Sequence, residues 1–231
     1  MGRARVGSRL VTTATAIAVL AAVLAGCAGA EFTYVMGSDG QSYFKVPASW
    51  RKVDQKALDR EVFGDLSSAT AQARKQLSWT VGYDGFREPS ADHLLGGKGD
   101  EPFVFAMVST LTETQRDAVS LDTLRNTVLP VAVDDETREK LEDTSGYPYK
   151  GFELLKDEVL QPGDGVRGVH VVYNLKVLGG PVQTFDQTTY LAADGTRVSV
   201  LLIRCSATCY RARAGELDRI AQSFKVKRVP G

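Results

Sequence analysis

"VSVLLIRC" (Val198–Cys205) is the stretch that decides the fold. Read with the two-residue period of a strand, Val198, Val200 and Leu202 point to one side and Leu201 and Ile203 to the other. Both sides are apolar, so the strand needs cover above and below its sheet. This implies three layers, with helices on both faces of one sheet. The last helical stretch supplies part of that cover, because Leu217, Ile220, Ala221 and Phe224 fall on one stripe.

Working outward, the second half reads as an antiparallel meander. Tyr149–Leu160 and Val166–Leu178 flank "QPGDG", a strong turn signal, and Gln183–Ala192 and Arg197–Cys205 flank "ADGT". Upstream, "FTYVMGSDGQSYFKV" (Phe32–Val46) reads as an N-terminal β-hairpin turning at Ser38-Asp39-Gly40. Val53 to Gln76 has helical spacing, broken near Gly64. In "LSWTVGYDG" Leu77, Trp79, Val81 and Tyr83 share one face, while Ser78, Thr80 and Gly82 take the other. "FVFAMVSTL" (Phe103–Leu111) is the next strand. Ser120 caps a helix with Leu121, Leu124, Val128 and Leu129 on its apolar face, ended by Pro130. The acidic run Asp134–Asp143 is expected to be a short exposed helix. The fold class is therefore α+β, an antiparallel sheet between helices in a three-layer α/β/α sandwich.

The first 26 residues have another character. Arg3, Arg5 and Arg9 precede an apolar run from Leu10 to Leu24, and small residues lead into Cys27. The run falls short of the roughly 18–20 residues that cross a bilayer, so it reads as a signal peptide. Leu24-Ala25-Gly26-Cys27 resembles a bacterial lipobox. The resemblance implies cleavage after residue 26 and lipidation of Cys27 on sulfur, with a diacylglyceryl group carrying chains such as palmitate. Residues 27–31 would be a short tether, and 32–231 one folded domain. The three arginines leave with the signal, so 25 basic residues face 28 acidic ones. That balance gives no support to nucleic-acid binding.

Cys205 and Cys209 complete the set of three cysteines. Outside the cytoplasm such a pair favours a disulfide over free thiols or a metal site. Three intervening residues are one too many for a thioredoxin-type motif, and no histidine is near enough in sequence to suggest zinc. His93 and His170 are the two histidines of the chain, and both read as non-catalytic. "LLGGKGDEP" (Leu94–Pro102) lacks the spacing of a phosphate loop, and no Gly-x-Ser-x-Gly elbow occurs. No catalytic residue, metal ligand or cofactor is assigned. The long connection Gly85–Pro102, with Phe86, Leu94 and Leu95 as apolar handles, is expected to rim a recognition surface together with Val131–Tyr147.

"YFKVPASWRKV" (Tyr43–Val53) and "LDRIAQSFKV" (Leu217–Val226) together resemble the PsbP-like superfamily, which includes PsbP, the Ran-binding Mog-type proteins and LpqN-type lipoproteins of actinobacteria. The lipoprotein branch is the nearest in character. The resemblance implies a sheet between helices, used as an accessory or binding module rather than a catalyst. The expected function is a lipid-anchored, extracytoplasmic, non-enzymatic module on the cell membrane, with an envelope protein or small apolar ligand as partner. The alternative is a membrane-tethered hydrolase of cell-wall or lipid esters with an unrecognised active site. A hollow interior would indicate an apolar cargo, and a filled one would leave the surface for recognition.

Overall fold

Every strand pair in the computed structural model, which describes residues 2, 30–96 and 100–227, is antiparallel. The strands are β1 (Phe32–Met36), β2 (Ser42–Pro47), β3 (Arg51–Lys52), β4 (Ser78–Asp84), β5 (Phe103–Thr110), β6 (Tyr149–Gly163), β7 (Val166–Val177), β8 (Val182–Leu191), β9 (Arg197–Ser206) and β10 (Lys225–Val226). The helices are α1 (Gln55–Phe63), α2 (Ala69–Gln76), α3 (Glu113–Ala118), α4 (Leu121–Arg125), α5 (Asp135–Asp143), α6 (Ala207–Ala212) and α7 (Ala214–Ser223). Seven strands form the main sheet in the order β3-β4-β5-β9-β8-β7-β6, and three form a small sheet in the order β1-β2-β10. The fold is α+β, with the N-terminal hairpin present.

The Val198–Cys205 stretch lies in β9, the middle strand of the seven, and both of its sides are buried. Leu201, Ile203 and Cys205 pack with Val35, Phe44 and Val46 of the small sheet and with Leu217 and Ile220 of α7. Val200 and Leu202 pack on the opposite face with Leu58 of α1, Leu94, Leu129 and Val131. Val198 meets Leu124 of α4. Burying such side chains contributes about 1.5–3 kcal/mol each, which is why this strand takes the centre. One layer is therefore mixed, because the small sheet shares with α7 the work of covering its face.

Local sequence sets the ends of these elements. Asp54 accepts the Ala57 N–H to cap α1, and Gly64 at φ 83° provides the left-handed step that stops it before α2. Asp164 (φ 52°) and Gly165 (φ 78°) form the two-residue link between β6 and β7, a primed turn that needs positive φ at both positions. The helix begun at Ser120 is shorter than its apolar spacing suggests. It stops at Arg125 because the Asn126 side chain turns back to accept the N–H groups of Val131 and Ala132. Leu129 and Val131 then enter the core as irregular chain. Thr112 and Gln115 form a capping box that starts α3, an element the spacing of apolar residues does not reveal. The acidic run forms α5, capped by Asp134.

Candidate functional site

Cys27 lies outside the described residues. Cys205 and Cys209 form a disulfide, with Cα atoms 5.8 Å apart, that staples the end of β9 to α6. Both sulfurs lie in the cluster between the main sheet and α7. Among the described residues, no group of three or more His, Cys, Asp or Glu side chains is placed to hold a metal ion.

Over residues 85–96 the Gly85–Pro102 connection is not a free rim. Ser90 caps a short turn of helix at Ala91–His93, and Ala91 and Leu94 are buried with Leu95 packed against them. Phe86 lies on the His93 ring, with centroids 4.6 Å apart. Two of the loop's apolar handles, Leu94 and Leu95, are thus spent on covering the sheet, while Phe86 rests on His93. Val131 is buried in the same cluster, and the gap bounded by Arg138, Tyr147, Tyr149 and Phe152 holds only about 10 Å³, little more than room for one water.

Both histidines are tied to buried carboxylates, a relation invisible in the sequence because it depends on the path of the loop after β4 for His93 and on strand register for His170. His93 Nδ1 lies 2.6 Å from Asp84 Oδ2, and the Asp84 carboxylate also accepts the N–H groups of Phe86 and Ser90. On the same face Arg204 is buried with its Nη1 donating to Gln183 Oε1, while its Nε and Nη2 have no partner among the described residues. Burial pulls the Arg204 guanidinium down to about 10, against the opposing pull of the Asp84 charge, so it stays cationic at neutral pH.

On the other face His170 Nε2 lies 2.8 Å from Asp186 Oδ1, and the Tyr210 hydroxyl donates to Asp186 Oδ2 at 2.7 Å. His170 Nδ1 faces Glu158 Oε2 at 3.8 Å, and Lys156 Nζ sits 3.1 Å from the same oxygen. Burial, the Asp186 charge and its hydrogen bond all push the Tyr210 phenol well up, so it remains a neutral donor. A chain of polar contacts therefore runs from the edge strand β6 to the stapled helix α6. In a hydrolytic triad the histidine orients on a carboxylate through one nitrogen and takes a proton from a nucleophile through the other. Here the second nitrogen of His170 faces another carboxylate. The arrangement holds charge and fixes side chains.

Two clefts open beside these elements. One, of about 330 Å³, lies over His170 between β6 and α7 and is edged by Lys156, Glu158, Asp218 and Lys225. Its mixed charge suits a polar ligand. The second, of about 550 Å³, lies between α3, α4 and the ends of β5 and β9. Leu111, Val119, Leu124 and Val198 give it an apolar floor, and uncharged Ser109, Gln115, Thr123 and Asn126 supply most of its rim. Sequence spacing does not reveal it because α3 itself escapes that reading.

This arrangement, an antiparallel sheet covered by helices and by an N-terminal hairpin that pairs with the last strand, is the PsbP-like fold. The solution structure of cyanobacterial PsbP (CyanoP) from Synechocystis matches with a TM-score of 0.52 at 14% identity, over 87% of this chain and 96% of that one. The Ran-binding protein Mog1p of Saccharomyces cerevisiae matches at 0.42 and 10% identity, over 86% and 96%. LpqN of Mycobacterium tuberculosis, involved in cell envelope biogenesis, matches at 0.42 and 14% identity, over 85% and 91%. No family model and no curated protein sequence matches the chain. No helix of the described residues is long and apolar enough to cross a membrane.

Proposed function

We propose that the chain is a lipid-anchored, extracytoplasmic accessory module that binds a component of the cell envelope through its surface. The observation that carries this reading is the packing of the main sheet, whose two faces are each closed by buried apolar clusters. The described clefts open at the margins of the packed layers, the one over His170 against Tyr190 and Phe224, which supports recognition at the surface. The Cys205–Cys209 staple fits an oxidising compartment, as the lipobox-like start requires.

The test uses the full chain in its native membrane. Photo-crosslinkers at Thr123, in the apolar-floored cleft, and at Lys156, beside His170, should give a discrete adduct from one cleft and none from a control position on α5. Intact mass should show lipid on Cys27. Labelling of the purified protein by a serine-reactive fluorophosphonate would reverse the conclusion in favour of a tethered hydrolase.

A further inference from the structure

The small sheet has an inner face buried against α7 and an outer face in solvent. Strand alternation places Phe32, Tyr34 and Met36 of β1 and Tyr43 of β2 on the outside. Tyr34 is 78% and Met36 66% exposed, far more than apolar-bodied side chains of a core-facing strand. The same face carries Lys45, which pairs across the sheet with Tyr34, and Lys225, which pairs with Tyr43. Lys227 follows on the same side. The Lys45 ammonium lies 4.0 Å from the centroid of the Phe32 ring and that of Lys227 5.0 Å from the Tyr43 ring, so these two cations rest on aromatic faces rather than on carboxylates. The nearby Asp39 is occupied in the hairpin turn, accepting from the N–H groups of Gln41 and Ser42 and from the Ser42 hydroxyl.

We propose that this outer face is a membrane-docking surface that lies on an anionic bilayer. Lys45, Lys225 and Lys227 would meet lipid phosphates, and Tyr34 and Met36 would enter the headgroup layer. Two observations select lipid as the occupant. The first is charge: three cations share a patch whose nearby acid, Asp39, is engaged in the hairpin turn, on a chain that without its first 26 residues has 25 basic and 28 acidic residues. Tyrosine interleaved with lysine is the composition of an interfacial anchor. The second is reach, and it rests on the lipid-anchor reading above. Phe32 follows Cys27 by five residues, at most roughly 18 Å of extended chain. A lipid on Cys27 would hold β1 close to the bilayer, and this is the face that β1 presents.

The surface can be tested without the anchor, because all three core clusters lie between Val35 and Val226 and residues 28–231 retain them complete. That fragment is sedimented with vesicles of phosphatidylglycerol and phosphatidylcholine, and with vesicles of phosphatidylcholine alone. Preference for the anionic vesicles, weakening with salt, is expected. A lysine near such a surface contributes about fivefold in partitioning, so Lys45→Ala, Lys225→Ala and Lys227→Ala together should lower it roughly 100-fold. Tyr34→Ser with Met36→Ser should lower it about tenfold, while Lys140→Ala on α5 should leave it unchanged. Unaltered melting temperatures would show that the exposed substitutions leave the fold intact. Equal binding to both vesicle types, or a triple-lysine variant that binds like the parent, overturns the proposal. An unmodified Cys27 in the mass spectrum would overturn the anchor reading instead, and the vesicle result would stand apart from it.

Discussion

Asp59 offers the sharpest test of how the helical layer is held on the sheet. Its Oδ1 accepts hydrogen bonds from Gln55 Nε2 at 2.8 Å and from Thr80 Oγ1 at 3.1 Å, and its Oδ2 lies 2.7 Å from Lys75 Nζ. One carboxylate thus joins α1, α2 and β4. In Asp59→Ala the buried Thr80 hydroxyl loses its acceptor, which costs about 1–2 kcal/mol. Gln55 and the half-exposed Lys75 can turn to water, so their share is small. The expected total is about 2 kcal/mol, or a melting point lower by roughly 4–8 °C for a chain of this size. A double-mutant cycle with Thr80→Val should give a coupling of about 1 kcal/mol. Acid should narrow the difference. Burial pushes the Asp59 carboxyl up, but the hydrogen bonds from Lys75, Gln55 and Thr80 outweigh it and hold the group below its usual range. Its folded pKa is therefore lower than its unfolded one. The stabilisation is complete above about pH 4 and is lost as pH falls through the folded value. Urea melts at pH 7 and pH 3 decide the matter. A destabilisation that is the same at both, with no coupling to Thr80, would refute this account of the joint.

Three other outcomes follow from the same contacts. Reducing the Cys205–Cys209 bond opens a loop of about five residues, worth about 2 kcal/mol, so calorimetry should show a drop of roughly 4–8 °C alongside a mass gain of about 2 Da; a reduced chain melting at the same temperature would contradict it. Tyr210→Phe strips the buried Asp186 carboxylate of one of its two donors and should cost about 1.5–3 kcal/mol in urea denaturation, whereas Tyr34→Phe should cost almost nothing. Leu94→Ala should cost about 2–4 kcal/mol if the Gly85–Pro102 connection covers the core as described, and less than about 0.5 kcal/mol if the connection is only a surface strap.

Period-two reading succeeds where a strand's two sides differ in polarity or are both apolar, and β9 and the meander are legible for that reason. It misleads at β4. Ser78, Thr80 and Gly82 look like a solvent face, yet Thr80 is buried and a Cβ at Gly82 would come within 3.0 Å of the Phe103 ring. Alternation reports polarity, whereas burial there depends on a partner, Asp59, that lies 21 residues earlier. The helix from Ser120 is over-extended by its spacing for a similar reason. Val128 and Leu129 fall where a helix would place apolar residues, but an irregular segment can turn the same side chains to the core, and here it does. The histidine–carboxylate pairs are hidden altogether. Pairing of His170 with Thr188 brings Asp186 alongside, and that register follows from how β7 and β8 meet rather than from either strand alone.

The polar networks and the clefts have a common geometric origin. The longest described helix, α7, has ten residues and so spans about 15 Å. β8 and β9 also have ten residues each, but as strands they span about 33 Å. Helices this short cannot close either face of a seven-stranded sheet. On one face the shortfall is met by the small sheet, and on the other by irregular chain around Leu94 and Leu129. Where even that cover ends, the sheet presents Asp84 with His93 on one side and Asp186 with His170 on the other, each buried charge held by its own donors. The clefts over His170 and beside α4 open at the margins of the same cover. A partner that engages this protein is therefore expected to approach at those margins, where binding need not displace a packed layer.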